Sequence, residues 1–143
     1  MPLPTPEPGL VISYSYLWCS EAETGSEEGL KDRPCAIIVT TINDEDDATI
    51  VMVCPVTHTR PDNPDQAVEI PLDTKKRLKL DDEASWIIVS EINRFVWPGP
   101  DLRRTPSGRF EYGFLPKVLF EQVRSKLLQL HKSLKVGVVD RSA

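Results

Sequence analysis

One long amphipathic segment lies near the C-terminal end of this sequence, and every apolar segment before it is short. In "LPKVLFEQVRSKLLQLHKSL", residues 115–134, apolar side chains recur every three or four positions and so fall on one face of a helix: Leu115, Leu119, Val123, Leu127, Leu130 and Leu134. Pro116 stands near the start, where the N–H group that it lacks would have no helical partner. The pattern predicts a single long helix over residues 116–133.

The segments before this helix are short, β-branched and separated by turn-forming residues, which is typical of strands. They are residues 9–18 ("GLVISYSYLW"), 33–42 ("RPCAIIVTTI"), 48–57 ("ATIVMVCPVT"), 67–71 ("AVEIP") and 84–97 ("ASWIIVSEINRFVW", one or two strands). The acidic "NDEDD" predicts a hairpin turn between the second and third strands, and residues 72–80 predict a turn of helix. We expect polar loops at residues 19–32 and 58–66, and an irregular basic loop at residues 98–113.

Five or six short strands followed by one helix predict a mostly β fold. We expect a small, strongly bent antiparallel sheet closed as a barrel, with the helix packed against it. With 143 residues the chain fits one ordinary domain. The predicted organisation is a proline-rich extended tail at residues 1–8, a single domain at residues 9–135 and a C-terminal tail at residues 136–143.

Composition restricts the class of protein. Hydrophobic residues make up 40% and charged residues 27% of the chain, which indicates a soluble globular protein. No apolar run approaches the ~20 residues of a membrane span, and the N-terminus does not resemble a signal peptide, so a cytoplasmic location is expected. The three cysteines form no CxxC motif, and we expect no disulfide, no metal site and no cofactor. A net charge of -5 argues against a nucleic-acid partner.

Four motifs follow one another along the chain: a strand after Pro8-Gly9, a polar loop containing "GSEEG", the strand "RPCAIIV" and the strand "VMVCPVT". Together with a terminal helix introduced by a proline, this order resembles that of the MazF/PemK-like (Kid-type) toxins, the mRNA interferase family of type II toxin–antitoxin systems. The resemblance covers residues 9–134, nearly the whole chain. It implies an SH3-like barrel of the MazF/CcdB-like kind that forms a homodimer.

The resemblance also implies a function. It predicts a toxin-like endoribonuclease that cleaves single-stranded RNA (mRNA) without metal, through attack by the 2′-hydroxyl, and that a cognate antitoxin neutralises. The implied partners are single-stranded RNA, an antitoxin protein, operator DNA bound as a toxin–antitoxin complex, and a second copy of the chain. No membrane is involved.

Metal-free RNA cleavage needs donors for the charge that builds on the phosphoryl oxygens. By resemblance, Arg33 matches the family's catalytic arginine, and a guanidinium held at a strand start by Pro34 would offer a phosphate fixed, bidentate donors. Thr57 matches the family's active-site threonine at the end of the third strand. The alternatives are a surface arginine paired with Asp32 or a loop glutamate, and a threonine that caps the following loop.

Three residues are candidates for the general base. His58 follows the active-site threonine, and imidazole is the side chain best suited to proton transfer at neutral pH. Glu28 lies in the loop where the family often carries a glutamate or a histidine. Glu91 stands where some members place an acidic catalytic residue, but Val89 occupies the position where those members carry a basic residue. This departure argues against the PemK-type version of the site and leaves the version built on the arginine and the threonine.

Arg60 and Arg94 are candidate phosphate contacts, and Trp18 and Trp97 are candidate platforms for RNA bases. Each ring has the alternative of packing in the core or in a dimer contact. The arginines of the later loops fall on the predicted open side, whereas the acidic residues concentrate in "EAETGSEE", "NDEDD" and "LDDE". Charge segregated in this way lets an acidic protein hold a polyanion.

Two other functions stay open. The chain can be a catalytically inactive MazF/PemK-like binding module that pairs with an antitoxin or operator DNA, which Val89 favours. It can also be an SH3-like adaptor for a protein partner, although the sequence lacks a clear aromatic, proline-binding groove. A positive groove around Arg33 and Thr57 would favour cleavage, and a flat apolar or acidic face would favour protein binding.

Overall fold

The computed structural model describes residues 3–25 and 31–141. Its elements follow the chain in this order: β1 (Leu10–Tyr14), α1 (Cys19–Glu23), β2 (Arg33–Ile42), β3 (Thr49–Thr57), a 3-10 turn (Pro64–Gln66), β4 (Ala67–Glu69), α2 (Leu72–Arg77), β5 (Trp86–Ile88), β6 (Glu91–Val96), β7 (Leu102–Arg103), β8 (Glu111–Phe114), α3 (Lys117–Lys132) and β9 (Gly137–Asp140). The mostly β character and the position of α3 confirm the sequence prediction. Within these described ranges, no helix is long and apolar enough to cross a membrane.

Three antiparallel neighbours, β1, β2 and β3, form the centre of the sheet, as predicted. Ile12 of β1 lies opposite Cys35 of β2, and Ala36 of β2 lies opposite Cys54 of β3. The acidic turn between β2 and β3 places Asp47 in the left-handed region, with φ 58°, which aspartate tolerates better than most residues. The sequence therefore predicts both the neighbours and the connection correctly.

Strand β3 bends the sheet because it takes two partners in succession. Its residues Ile50–Val53 pair with β6, whereas Val56 and Thr57 pair with β5. At the other side of the centre, β1 pairs with both β8 and β7. An irregularity in pairing between Ile37 and Val39 adds curvature to β2. The outcome is the predicted SH3-like bent barrel with a C-terminal helix.

Successive side chains of β2 enter two separate hydrophobic clusters. Ala36 and Ile38 belong to the larger cluster, which also receives the buried face of α3 around Val123. Cys35 and Ile37 point to the opposite side of the sheet and belong to the smaller cluster. Because both faces of β2 are buried, its sequence is continuously apolar rather than alternating.

Three segments differ from the sequence prediction. The expected loop at residues 19–32 begins with α1, whose first turn is closed by a hydrogen bond of 3.0 Å from the Trp18 backbone N–H to the Glu21 carboxylate. The expected basic loop at residues 98–113 contains β7 and most of β8. The expected C-terminal tail contains β9, which runs parallel to β6. Elements this short, paired with distant partners, leave little local pattern in a sequence.

Two ion pairs hold the segment around β9 on the sheet. Arg94 Nη1 lies 2.7 Å from Asp140 Oδ2, and Arg141 Nη2 lies 2.9 Å from Asp101 Oδ2. The second pair is almost fully buried, and a buried pair is costly to break by removing one partner. Residues 137–141 are therefore part of the folded sheet.

Candidate active site

The ends of β2 and β3 bring Arg33 and Thr57 together. Arg33 is the first residue of β2 and Thr57 the last of β3, so antiparallel pairing places both at the same end of the sheet. Both line an open groove of about 490 Å³, the central groove, whose other lining residues include Trp18, Arg60 and Glu91. Both also line a smaller adjoining cleft of about 240 Å³. The two residues matched to the family's site thus share one surface.

The guanidinium of Arg33 is held by a hydrogen bond at its edge and by an aromatic ring against its face. Nη1 donates a hydrogen bond of 3.2 Å to the backbone carbonyl of Val56, and Cζ lies 4.9 Å from the centre of the Trp18 ring, a cation–π distance. Its Nε atom is buried and has no hydrogen-bond partner among the residues that the structure describes. An unsatisfied buried donor costs free energy, which a bound anion or an ordered water would recover.

Thr57 caps the loop that follows β3, which is the structural alternative given for it above. Its Oγ1 accepts a hydrogen bond of 3.1 Å from the backbone N–H of Thr59 and so shapes the turn that leaves β3. That bond does not use the hydroxyl proton, which stays available to donate to a phosphate oxygen. In the sheet, Thr57 lies directly opposite Trp86 of β5.

Both ring nitrogens of His58 are engaged. Nε2 lies 2.7 Å from Asp81 Oδ2, and Nδ1 lies 3.1 Å from the Ala84 carbonyl oxygen and from Ser85 Oγ. The ring lines the smaller cleft. It would have to give up one of these contacts before it could accept a proton from a substrate.

A buried lysine stands behind this arrangement. Lys75 of α2 is only 1% exposed, and its Nζ lies 2.6 Å from Asp81 Oδ1 and 2.6 Å from Ser85 Oγ, while it also donates to the backbone carbonyl of Glu83. Burial by itself raises the pKa of Asp81, but the hydrogen bonds from Lys75 and from the Glu83 N–H, together with the charges of His58 and Lys75, bring it below its usual value. The ionised carboxylate therefore joins the lysine to the histidine ring.

Glu91 is a fixed residue in the lining of the central groove. Its Oε1 accepts hydrogen bonds from the Tyr16 hydroxyl at 3.1 Å and from the Cys19 backbone N–H at 2.9 Å. Burial, followed by the neighbouring Glu91 carboxylate, raises the pKa of the Cys19 thiol to about 11, so Cys19 is protonated at neutral pH and is a poor nucleophile. Val89, two positions earlier, is fully buried in the larger cluster and presents nothing to the groove.

Residues 15–131 match the family model of the PemK-like, MazF-like toxin of type II toxin–antitoxin systems. The chain belongs to this family. A comparison with curated proteins found no match. The matched range contains every residue named above for the central groove.

The local charge of the groove differs in sign from that of the whole chain. Three cations, Lys31, Arg33 and Arg60, line it together with two carboxylates, Asp62 and Glu91. The chain as a whole carries a formal net charge of -5. A positive groove in an acidic protein concentrates the field where a polyanion would lie.

The remaining residues predicted for the site lie away from the central groove or outside the described residues. Arg94 is paired with Asp140, and Trp97 packs 6.2 Å from Phe95, ring centre to ring centre, beside the smaller cluster. Neither Arg94 nor Trp97 is among the residues that line the central groove. Glu28 falls outside the residues that the structure describes.

One group in the described part of the chain has the composition of a metal site. The ligand atoms of His58, Asp81 and Glu83 lie within 4.8 Å of one another. However, Asp81 already accepts contacts from His58 and from the ammonium group of Lys75, which competes with a cation for the same carboxylate. The geometry is typical of a hydrogen-bonded network.

Sequence reasoning did not identify Lys75 or Trp86. For Trp86 a signal exists, because strand alternation buries Ile87 and Val89 and leaves Trp86 on the other face. For Lys75 there is no such signal, since lysine is rarely buried and its partners come from a separate loop. Among the sequence candidates, the structure brings together Arg33, Thr57, Glu91, Arg60 and Trp18 around the central groove.

Proposed function

We propose that this PemK-like toxin is an endoribonuclease that cleaves single-stranded RNA and that a cognate antitoxin neutralises. The observation that carries the proposal is the fixed guanidinium of Arg33, which lies beside Thr57 in an open, positively charged groove. Fixed hydrogen-bond donors stabilise the charge that develops on the phosphoryl oxygens in the transition state of RNA cleavage.

The proposed reaction is an in-line displacement at phosphorus. The 2′-oxygen of the substrate forms a bond to phosphorus while the bond from phosphorus to the 5′-oxygen breaks, giving a 2′,3′-cyclic phosphate and a 5′-hydroxyl. A base takes the proton of the 2′-hydroxyl, and an acid returns a proton to the leaving oxygen. Arg33 and Thr57 donate hydrogen bonds that stabilise the negative charge on the phosphoryl oxygens. The step as written balances without a metal ion.

Glu91 is the best-placed described candidate for the base. It lines the same groove as Arg33 and Thr57, and the hydrogen bonds from Tyr16 and Cys19 fix its carboxylate. His58 has both ring nitrogens occupied, which favours a positioning role for it. Arg60 supplies a further cation for a neighbouring phosphate.

The decisive experiment incubates the purified protein with single-stranded RNA in the presence of a chelator. We expect cleavage that leaves 2′,3′-cyclic phosphate ends and that slows by about 10²–10³-fold in Arg33→Ala. The matched control is Arg124→Ala, because Arg124 is an exposed arginine of α3 and does not line the central groove. Intact RNA after incubation with the wild-type protein, free of antitoxin, would refute the proposal.

The second candidate function is a binding module without nuclease activity. The burial of Val89, where some relatives in the resemblance carry a basic residue, favours it. Such a protein would bind an antitoxin, or operator DNA as a toxin–antitoxin complex, without cutting RNA. Binding of these partners by a wild-type protein that leaves RNA intact is the result that would select this alternative.

A homodimer and a cytoplasmic location complete the proposal. The described surface exposes large apolar side chains on α3, with Val118 72% and Leu128 41% exposed, and such side chains are suited to burial in a protein interface. Light scattering at micromolar concentrations should give the mass of a dimer. A monomer mass throughout that range would contradict this part.

A further inference from the structure

A second groove continues the central groove beyond Arg60 and Pro61. It has a volume of about 570 Å³, and these two residues belong to the lining of both grooves. Its floor is the strand pair β4–β5, and its far wall is α3. We call it the Trp86 groove, because Trp86 is the aromatic side chain in its lining. A strand of RNA that passes Arg33 can therefore enter it without leaving the surface.

The register of three strands places a row of side chains across the floor. Thr57 of β3 is paired with Trp86 of β5, and Trp86 is paired with Glu69 of β4. Directly paired residues lie on the same face of a sheet, about 4.5–5.5 Å apart. The indole of Trp86 is thus one strand away from the hydroxyl proposed to contact the scissile phosphate.

Within the described ranges, Trp86 is also the tryptophan whose ring is not engaged by another ring or a cation. The Trp18 ring lies under the Arg33 guanidinium and contacts Tyr16 edge-on at 5.2 Å, and Trp97 packs against Phe95. Among the described residues, Trp86 has no aromatic or cation–π partner. It is partly exposed and lines the groove, so a ring from outside can stack on it.

The wall of the groove that α3 forms is fixed by hydrogen bonds. Lys126 of α3 donates hydrogen bonds to the backbone carbonyls of Pro64 and Ala67, each at 3.0 Å. Gln122, one helical turn earlier, lines the same groove and offers both a donor and an acceptor. Glu69 is at the end of the row, and its ionised carboxylate can accept hydrogen bonds but cannot donate them. These are the groups that hydrogen-bond to the edge of a nucleobase.

We propose that the Trp86 groove is a nucleobase subsite for single-stranded RNA. The base of a nucleotide next to the scissile phosphate stacks on Trp86, the connecting phosphate meets Arg60, and Glu69 and Gln122 contact the base edge. The placement of the scissile phosphate at Arg33 rests on the proposed function. The subsite itself requires only that the protein bind single-stranded RNA.

The test measures binding to short RNA in which every ribose carries a 2′-O-methyl group, since this RNA lacks the attacking hydroxyl and cannot be cleaved. Trp86→Leu keeps apolar volume but loses the aromatic face, whereas the matched control Trp86→Phe keeps a stacking surface. Because stacking of one base is worth roughly 5- to 150-fold in affinity, we expect a loss in that range for Trp86→Leu and a change of less than about 3-fold for Trp86→Phe. Equal affinities of Trp86→Leu, Trp86→Phe and the wild type would overturn the subsite.

A second measurement keeps the native Trp86. In the variant Trp18→Phe/Trp97→Phe, Trp86 is the single tryptophan, and its fluorescence should be quenched when the modified RNA saturates the protein. Fluorescence unchanged at saturation would overturn the subsite even if Trp86→Leu does not fold. Cleavage of unmodified RNA is measured separately. Binding that depends on Trp86, without cleavage, would refute the nuclease proposal and support the subsite. Cleavage together with binding that does not depend on Trp86 would support the nuclease proposal and refute the subsite.

Discussion

Lys75 Nζ lies 2.6 Å from Asp81 Oδ1, although the lysine side chain is almost fully buried and the aspartate side chain is half-exposed. The other oxygen of the same carboxylate lies 2.7 Å from the ring of His58. Asp81 therefore connects the interior of the fold to the residue that follows Thr57. This chain of contacts fixes the loop at the edge of the candidate site, and each of its links can be removed separately.

Lys75→Met should lower the free energy of unfolding by about 3 kcal/mol. The substitution keeps most of the buried hydrocarbon but leaves Asp81 and Ser85 without their shared donor, and removing one partner of a buried pair costs about 3–5 kcal/mol. The low end applies because Asp81 is half-exposed. Denaturant unfolding measures the effect. Lys76→Met, at the exposed neighbouring position, should change stability by less than about 0.5 kcal/mol, and equal losses in the two variants would contradict the role assigned to Lys75.

The stability of the protein should fall at acid pH partly through Asp81. Its folded pKa is lowered despite burial, chiefly by the hydrogen bond from Lys75, so the carboxylate stabilises the folded state above its unfolded pKa. That contribution is lost as the pH falls through the lowered folded pKa, when the group becomes protonated. Asp81→Asn should therefore show a smaller loss of unfolding free energy than the wild type between pH 5 and pH 2. Parallel pH profiles for the two proteins would show that Asp81 is not the group involved.

Arg33→Ala should lower kcat/KM for RNA cleavage by about 10²–10³-fold, which is the usual effect of removing a preorganised donor from a transition state. The protein should stay folded, because the side chain makes a single hydrogen bond within the described structure. Arg33→Lys should restore only part of the rate, since an ammonium cannot offer two parallel donors. Initial rates on one fluorogenic RNA measure all three proteins. Full activity of Arg33→Lys would argue that charge alone matters.

Glu91→Gln should separate the two described candidates for the base. The amide oxygen can still accept from Tyr16 and Cys19, so stability should change little, while kcat should fall by about 10²–10⁴-fold if Glu91 is the base. The acid limb of the pH–rate profile should disappear in the same variant. His58→Gln serves as the comparison and should keep most of the activity. The opposite ranking of the two variants would assign the base to His58.

The sequence predicts the fold well because the information is local and strong. The β-branched runs of β2 and β3, the acidic turn between them and the periodic stripe of α3 each specify their own structure. By contrast, β9 consists of "GVVD" and becomes a strand only because β6 offers it a free edge at Glu91–Arg94. Local propensity cannot reveal such a dependence on a distant partner.

The site could be predicted in part for the same reason. Arg33 and Thr57 lie at strand ends that any antiparallel hairpin of β2 and β3 brings together. The contact between His58 and Asp81 depends on the direction in which the chain leaves α2. No periodicity in the sequence encodes that direction. The neighbour of Thr57 in the sheet likewise depends on register, so Trp86 emerges only from the paired strands.

The pairing of Glu91 with Gly137 in β6 and β9 also sets a delay during synthesis. Gly137 is added to the chain about 45 residues after Glu91, which at the usual rate of about 5–20 residues per second corresponds to about 2–9 s. During that interval the strand that carries Glu91 lacks its edge partner. The sheet that carries Glu91 is therefore complete only after residues 137–140 have been made.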